Sequence, residues 1–253
     1  MTEKNRLEHI SIILNKPRFP ENIGAAARVV KNMGIGRLVV VDPAFYDRDR
    51  IKTMATHAAG DVVADIRLFD TLAESVADQN YIVGTTARLG GERPVVYTPK
   101  RMADKLIPIS RKNAVAVVFG PEDRGLTNEE IRLCHDLVNI PTADFSSLNL
   151  AQAVMVMCYE LFSSAREEPT AFAPRLAGRY ELDGMYEQLK DILVRIDYIK
   201  PDNPDYWMNN LRRFFSRIGL RAREVKIIRG LCRQVDWYAR KCYEDGLKDR
   251  EER

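Results

Sequence analysis

AVAVVFG (residues 114–120), PEDRGL (121–126), TNEEIRLCHDLVNIP (127–141) and TADFSSLNLA (142–151) follow one another without a break. The first segment is a continuous apolar run that stops at Gly120. This is the pattern of a strand buried on both faces. A polar loop with Glu122, Arg124 and Gly125 follows, then a short helix over 128–135 and a second buried strand ending at Ile140-Pro141. Ser146-Ser147-Leu148-Asn149 opens a long apolar helix over 148–166. Two strand ends and one helix start are thus expected at one place. Main-chain donors and acceptors left free at such ends can hold a small ligand.

The same alternation extends upstream. HISIILN, RLVVVDP, IRLFD and YIVGTTA read as strands. Helices are expected at 21–33 with Gly34 as C-cap, at 52–64 with an interruption at Gly60, at 71–79 with Thr71 at the N-cap, and at 102–110. Strands alternating with helices predict an α/β fold, a mostly parallel sheet with helices on both faces. EEPTAFAPRLAGR has two prolines and no period, so 167–179 reads as a linker. Helices follow at 180–196, 205–218 and 223–243, and the tail GLKDREER is expected to fray. The predicted organisation is an α/β domain over 1–166, the linker, and a small helical module over 180–253.

The 253 residues carry a net charge of only +3, with 45% hydrophobic and 30% charged side chains. That is an ordinary globular composition. No apolar run approaches the roughly 20 residues that span a bilayer, and the N-terminus has no secretory leader pattern. The four cysteines form no CxxC, and the three histidines show no ligand spacing. Reduced thiols, no metal, no membrane and a cytoplasmic location are the expectations. Charge is uneven, however. Residues 207–233 hold Arg212, Arg213, Arg217, Arg221, Arg223, Lys226, Arg229 and Arg233 against Glu224 alone. Such an excess suits a polyanion, although a solvated helix face has the same composition.

GxGxxG, GxxxxGK[ST] and GxSxG are all absent, which leaves a dinucleotide fold, a P-loop and a serine elbow without support. Three other pieces carry more. Asn22-Ile-Gly24-Ala-Ala-Ala-Arg28 opens a helix with a bare first turn. Phe119-Gly-Pro-Glu122-Asp-Arg124-Gly125-Leu126 turns sharply between glycines. Ser147-Leu148-Asn149-Leu-Ala starts the apolar helix. Alone, each also fits a plain structural role: a small-residue helix against a sheet, a βα turn, a helix cap.

In this order and at these separations they resemble the SPOUT methyltransferases of the TrmH type. MNNLRRFFSR (208–217), Glu224 and IIRG (227–230) look like the C-terminal extension of the TrmJ subgroup. The resemblance implies a C-terminal trefoil knot, which general topology rules would not suggest. It implies S-adenosylmethionine as methyl donor, ribose 2′-hydroxyl methylation of tRNA at position 32 of the anticodon loop, and a homodimer whose second subunit completes the site. The donor would rest on Thr85, Thr86, Ala87, Gly120, Ile140, Ser146, Ser147 and Leu148. Asn22, Glu122 and Asn149 would fix those loops, and Arg88, Arg124, Arg212, Arg213 and Arg217 would touch RNA. Arg28 matches the arginine that the family is proposed to use on the acceptor hydroxyl. A guanidinium rarely gives up a proton, so base, oxyanion stabiliser and phosphate clamp remain open roles. Methylation of another RNA such as rRNA, or a non-catalytic RNA-binding protein on the same scaffold, are the alternatives.

Overall fold

The structure is a computed structural model, and it describes residues 7–87, 96–144, 147–166, 174–200 and 202–251. The chain divides into two compact units, Met1–Arg175 and Leu176–Arg253.

The first unit is built on a parallel sheet of β1 (Ile10–Asn15), β2 (Arg37–Val41), β3 (Arg67–Phe69), β4 (Tyr81–Thr85), β5 (Val96–Tyr97), β6 (Val115–Phe119) and β7 (Asp136–Val138). Their order is β3-β2-β1-β6-β4-β7-β5, and every pair is parallel. β1 and β6 are buried along their whole length, as their unbroken apolar text requires. Helices α1 (Pro20–Met33), α2 (Arg48–Ala55), α5 (Pro99–Ser110) and α7 (Leu150–Arg166) pack with one another. On the other side of the sheet α4 (Leu72–Ser75) and α6 (Asn128–Ile131) contribute Leu72 and Ile131 to a cluster with Ile13, Val118 and Leu137. α3 (Gly60–Ala64) completes the set. Both faces are covered, as expected.

Several local signals are realised. Pro20 starts α1, and Gly34 ends it at φ 64°, with Ile35 N–H reaching back to Val30 C=O at 3.1 Å. Thr71 and Thr127 each form a capping box, with Glu74 and Glu130. Other expectations need correction. The helix read over 52–64 breaks at Thr56, not Gly60: Thr56 takes φ 61°, outside helical space, and Gly60 starts α3. α4 and α6 are each one turn, shorter than the periodicity suggests. Each is stopped by a tight turn, Gln79 N–H to Val76 C=O and Cys134 N–H to Ile131 C=O, that turns the chain into the next strand. The two-residue β5 is not legible in the sequence.

The N-terminal ends of β4 and β7 are closed by a polar cluster. Tyr81 Oη donates to Asp136 Oδ2, and Lys105 Nζ donates to the same oxygen at 2.6 Å. His135 stacks on Tyr81 with ring centroids 4.8 Å apart, and its Nδ1 accepts from Ile82 N–H at 3.1 Å. Burial, then the negative charge of Asp136, raises the Tyr81 phenol well above its ordinary value. Burial alone would lower Lys105, but its bonds to Asp136 and Tyr81 outweigh that and raise it.

The second unit comprises α8 (Arg179–Arg195), α9 (Pro204–Ile218) and α10 (Ala222–Glu251). Met185, Ile199, Met208 and Val225 form its core. Asn203 caps α9 by accepting from Tyr206 N–H, and Gly219 ends it at φ 55°. Leu176 and Ala177, at the end of the segment read as a linker, join this unit: Leu176 bridges Arg221, and Ala177 N–H donates to Leu220 C=O at 2.8 Å. α10 continues to Glu251, past the point where the apolar period stops and fraying is expected.

Candidate active site

The C-terminal ends of β4, β6 and β7 open on a cleft of about 290 Å³. Three segments line it: Thr85-Thr86-Ala87 at the end of β4, the loop Gly120–Leu126 after β6, and Val138 at the end of β7 with Ile140, Ser147 and Leu148 beyond it, with Leu150 and Ala153 of α7 behind them. The β6 loop folds back on itself. Gly125 sits at φ 67°, and its N–H donates to Pro121 C=O at 2.9 Å. A Cβ on Gly120 would stand 2.3 Å from the Gly125 carbonyl carbon and 2.4 Å from the Leu126 nitrogen. Only glycine permits that approach of backbone to backbone. The other two segments are tied together as well. Thr86 N–H donates to Val138 C=O at 2.9 Å, and Asn139 Nδ2 donates to Thr86 C=O at 2.8 Å.

A chain of side chains joins the three distant pieces of sequence beside this cleft. Asn149 Nδ2 donates to Asn22 Oδ1 at 3.0 Å, and Asn22 Nδ2 donates to Glu122 Oε1 at 2.6 Å. The other Glu122 oxygen accepts Arg18 N–H at 3.0 Å, and the Arg18 guanidinium binds Asp123 at 3.1 Å. Asn149 Oδ1 meanwhile accepts from Ala151 and Gln152 N–H, capping α7. One asparagine therefore serves the helix start and the loop lock at once.

This arrangement has known counterparts. The model of the SpoU rRNA methylase family matches residues 9–159, and that of the tRNA methyltransferase TrmJ C-terminal domain matches 180–245. A TrmJ of Pseudomonas aeruginosa, described as a tRNA (cytidine/uridine/adenosine-2′-O-)-methyltransferase, is 34% identical over 92% of this chain and 96% of its own. The chain belongs to the SpoU methylase family. LasT of Escherichia coli, described as an uncharacterized tRNA/rRNA methyltransferase, is 38% identical over 74% of this chain and 82% of its own. The crystal structure of TrmJ from Z. mobilis superposes with a TM-score of 0.75 at 30% identity, covering 89% of this chain and 98% of that one. The expected enzyme class, a methyltransferase, and the expected fold class stand on these matches.

As a SpoU methylase the chain needs a place for S-adenosylmethionine, and the cleft suits it. Leu126, Ile140, Leu148 and Leu150 supply apolar walls for a flat ring, and the Gly120 turn is a cradle that any Cβ would fill. Glu122 and Asp123 also line the cleft, with their carboxylates already engaged by Asn22 and Arg18. Of the residues expected at this site, Thr85, Thr86, Ala87, Gly120, Ile140, Ser147 and Leu148 line the cleft, as do Glu122 and Arg124. Ser146 and Arg88 lie outside the described residues. Asn22 and Asn149 stand behind the lining in the hydrogen-bonded chain.

Arg28 does not reach the cleft of its own chain. It lies exposed on α1, and its side chain pairs with no described residue. In the second unit Arg217 is exposed, and the Arg212 guanidinium sits 5.3 Å over the Tyr186 ring. Arg213 is half-buried. Arg229, counted above among the basic excess, is engaged within the unit by Gln188 Oε1 at 3.1 Å.

Asn139, Asp123, Leu126 and Ala153 were not expected at the site. Asn139 carries the clearest missed signal. It is the polar residue that ends the DLV run, at the place where a side chain can replace a lost ladder partner. Among the described residues no group of His, Cys, Asp or Glu is placed to hold a metal ion. No helix among them is long and apolar enough to cross a membrane.

Proposed function

We propose that this protein transfers a methyl group from S-adenosylmethionine to the ribose 2′-hydroxyl of tRNA, at nucleotide 32 of the anticodon loop. The observation that carries the reading is the Asn149–Asn22–Glu122 chain beside a glycine-cradled cleft. It joins the three sequence pieces on which the resemblance rests. The TrmJ relatives, described as tRNA 2′-O-methyltransferases, support tRNA and the 2′-oxygen. A solved structure described for 2′-OH methylation of C/U34 on tRNA is 25% identical and is covered over 97% of its length by only 63% of this chain. The basic helical extension beyond that share favours the TrmJ type and position 32. An rRNA acceptor is the second reading, favoured by the description of the SpoU family.

The cofactor supplies an electrophilic methyl group when bound. The work of this chain is positioning. Thr85 to Ala87, the Gly120 turn, and Ile140 with Ser147 and Leu148 hold the adenosine end, with Ser146 between them in sequence. Glu122, held by Asn22 and the Arg18 N–H, fixes the β6 loop. Asn22 and Asn149 keep the β6 loop from shifting. Arg28 acts on the acceptor, where a fixed guanidinium stabilises a developing alkoxide or clamps the adjacent phosphate better than it accepts a proton. Arg88 and Arg124 contact the RNA near the reacting nucleotide, and Arg212, Arg213 and Arg217 dock the tRNA body.

The active form is read as a homodimer. α7 turns Met155, Val156 and Tyr159 to solvent, and they form an apolar stripe beside the cleft residues Leu150 and Ala153. Arg28 of one subunit then has a second cleft to serve. The passage of the chain from β6 back across β4 to β7 is read as the trefoil knot, with residues 1–166 as the catalytic domain, 167–179 as linker and 180–253 as docking module. Free cysteines and a tRNA substrate support a cytoplasmic location. Incubation of purified protein with labelled S-adenosylmethionine and bulk tRNA, followed by nucleoside analysis, tests the reading. A labelled 2′-O-methylnucleoside from position 32 is expected, and label on a base would overturn it.

A further inference from the structure

The loops after β1 and β2 leave two aromatic rings in solvent, where burial in the core would ordinarily claim them. Phe19 is 52% exposed and Phe45 54% exposed. The loops are bound to each other. Lys16 N–H donates to Val41 C=O at 2.8 Å, and Ala44 N–H donates to Pro17 C=O at 3.1 Å. They are also bound to the cleft, because Arg18, between Pro17 and Phe19, holds Glu122 and Asp123 through its N–H and guanidinium. Both rings therefore sit on loops at the C-terminal end of the sheet, and these loops are tied to the cleft residues Glu122 and Asp123.

We infer that Phe19 and Phe45 form a stacking platform for the unpaired nucleotides beside the one that enters the cleft. The inference rests on the RNA methyltransferase reading and adds an RNA-binding site to it. A ribose 2′-oxygen reaches a cleft of this kind only if its nucleotide is splayed out of a loop, which leaves neighbouring bases unstacked and in need of a flat partner. An exposed ring next to an arginine offers one, and the Arg18 guanidinium lies 6.0 Å from the Phe19 centroid.

Most of the charge beside the rings is already paired, with Arg48 an exposed exception. Lys16 is paired with Asp42 at 3.8 Å, Arg18 with Asp123 at 3.1 Å, and Arg50 with Glu21. The contribution of the uncharged rings to RNA affinity is therefore insensitive to salt, unlike that of a run of phosphate-binding arginines. The rings are exposed and the loops are held by main-chain bonds, so the substitutions leave the fold intact.

The test compares tRNA binding by wild type with three double variants, Phe19→Ala/Phe45→Ala, Phe19→Leu/Phe45→Leu and Phe19→Trp/Phe45→Trp, over a series of salt concentrations. S-adenosylmethionine binding by calorimetry and mass by sedimentation are measured alongside. The alanine pair is expected to weaken tRNA binding roughly tenfold or more at every salt concentration, without changing the salt slope. Tryptophan restores binding and leucine does not, while cofactor affinity and mass stay constant. Alanine variants that bind tRNA as wild type does overturn the platform and leave the methyltransferase reading standing. Rescue by leucine equal to rescue by tryptophan, or loss of a dimer in the alanine pair, also overturns it and assigns the rings to protein contact. A wild type that neither binds nor methylates tRNA defeats the functional reading, and the platform with it.

Discussion

β4 and β7 lie side by side and have two very different ends. At their N-terminal ends Tyr81, Asp136, Lys105 and His135 bond to one another, to Tyr97 Oη and to Ile82 N–H. At their C-terminal ends Thr85 to Ala87 and Val138 to Ile140 face a cleft, and the side chain that links them, Asn139, binds main chain rather than another side chain. The first end holds more of the residue types that catalysis uses, yet it is the second that can take a ligand. A titratable cluster marks a site only where something remains to be satisfied. Here the polar side chains are the closure, and the site is made of glycine, backbone and apolar walls.

The contrast can be broken at either end. Gly120→Ala should have the largest effect, because its Cβ would meet backbone at 2.3 Å and 2.4 Å. Cofactor binding should be lost in calorimetry, with stability reduced by about 3 kcal/mol as the loop shifts. Retained binding would show that the cradle is not where the cofactor rests. Arg28→Ala comes next. Turnover should fall roughly 10²- to 10³-fold, as when an oxyanion donor is removed, with S-adenosylmethionine affinity nearly intact. Equal loss of both would remove Arg28 from the acceptor side.

At the closed end the signs reverse. Asp136→Asn leaves Lys105 facing a neutral partner and should cost about 2 kcal/mol, reduced from a fully buried pair because Lys105 is partly open to water. Melting temperature reads this loss, and cofactor affinity should not change. The same cluster sets an alkaline limit. Tyr81 and Lys105 both hold their protons more tightly in the folded chain than at their ordinary values of 10.0 and 10.5. Their contribution to stability is thus complete below about pH 10 and is lost as pH rises through the raised values. A Tyr81→Phe melting series should fall less steeply at alkaline pH than wild type, and parallel slopes would count against the cluster. The smallest effect belongs to the other unit. Arg217→Ala should lower the salt slope of tRNA binding by about one and leave stability alone.

Legibility in the sequence followed the physics of each signal. β1 and β6 were plain because a strand buried on both faces must be apolar throughout. Gly34 and Thr71 were plain because left-handed backbone and an unsatisfied helix start each favour few residues. Seven of the eight expected cofactor residues line the cleft, and the eighth, Ser146, falls outside the described residues. The resemblance placed them, since nothing in Gly120 by itself says that Leu126 N would lie over it. Asn139 and the Tyr81–Asp136–Lys105 cluster stayed hidden because they depend on which strands are neighbours. Parallel neighbours distant in sequence leave no local period. β5 was missed for the same reason: two residues carry no alternation, and only pairing with β7 makes them a strand.

Strand order also governs when the cleft comes into being. β4 is made before either of its neighbours, since β6 and β7 both follow it in the chain. A nascent chain that ends before residue 136 therefore presents β4 with an unpaired edge, and such edges invite pairing with other chains. Because β7 inserts between β4 and β5, all three lining segments meet only when one of the last strands docks. A methyl donor that binds there binds nothing earlier on the folding route, so it pulls the final docking step to completion by mass action. Growth conditions that deplete the donor should then lower the yield of folded enzyme as well as its turnover.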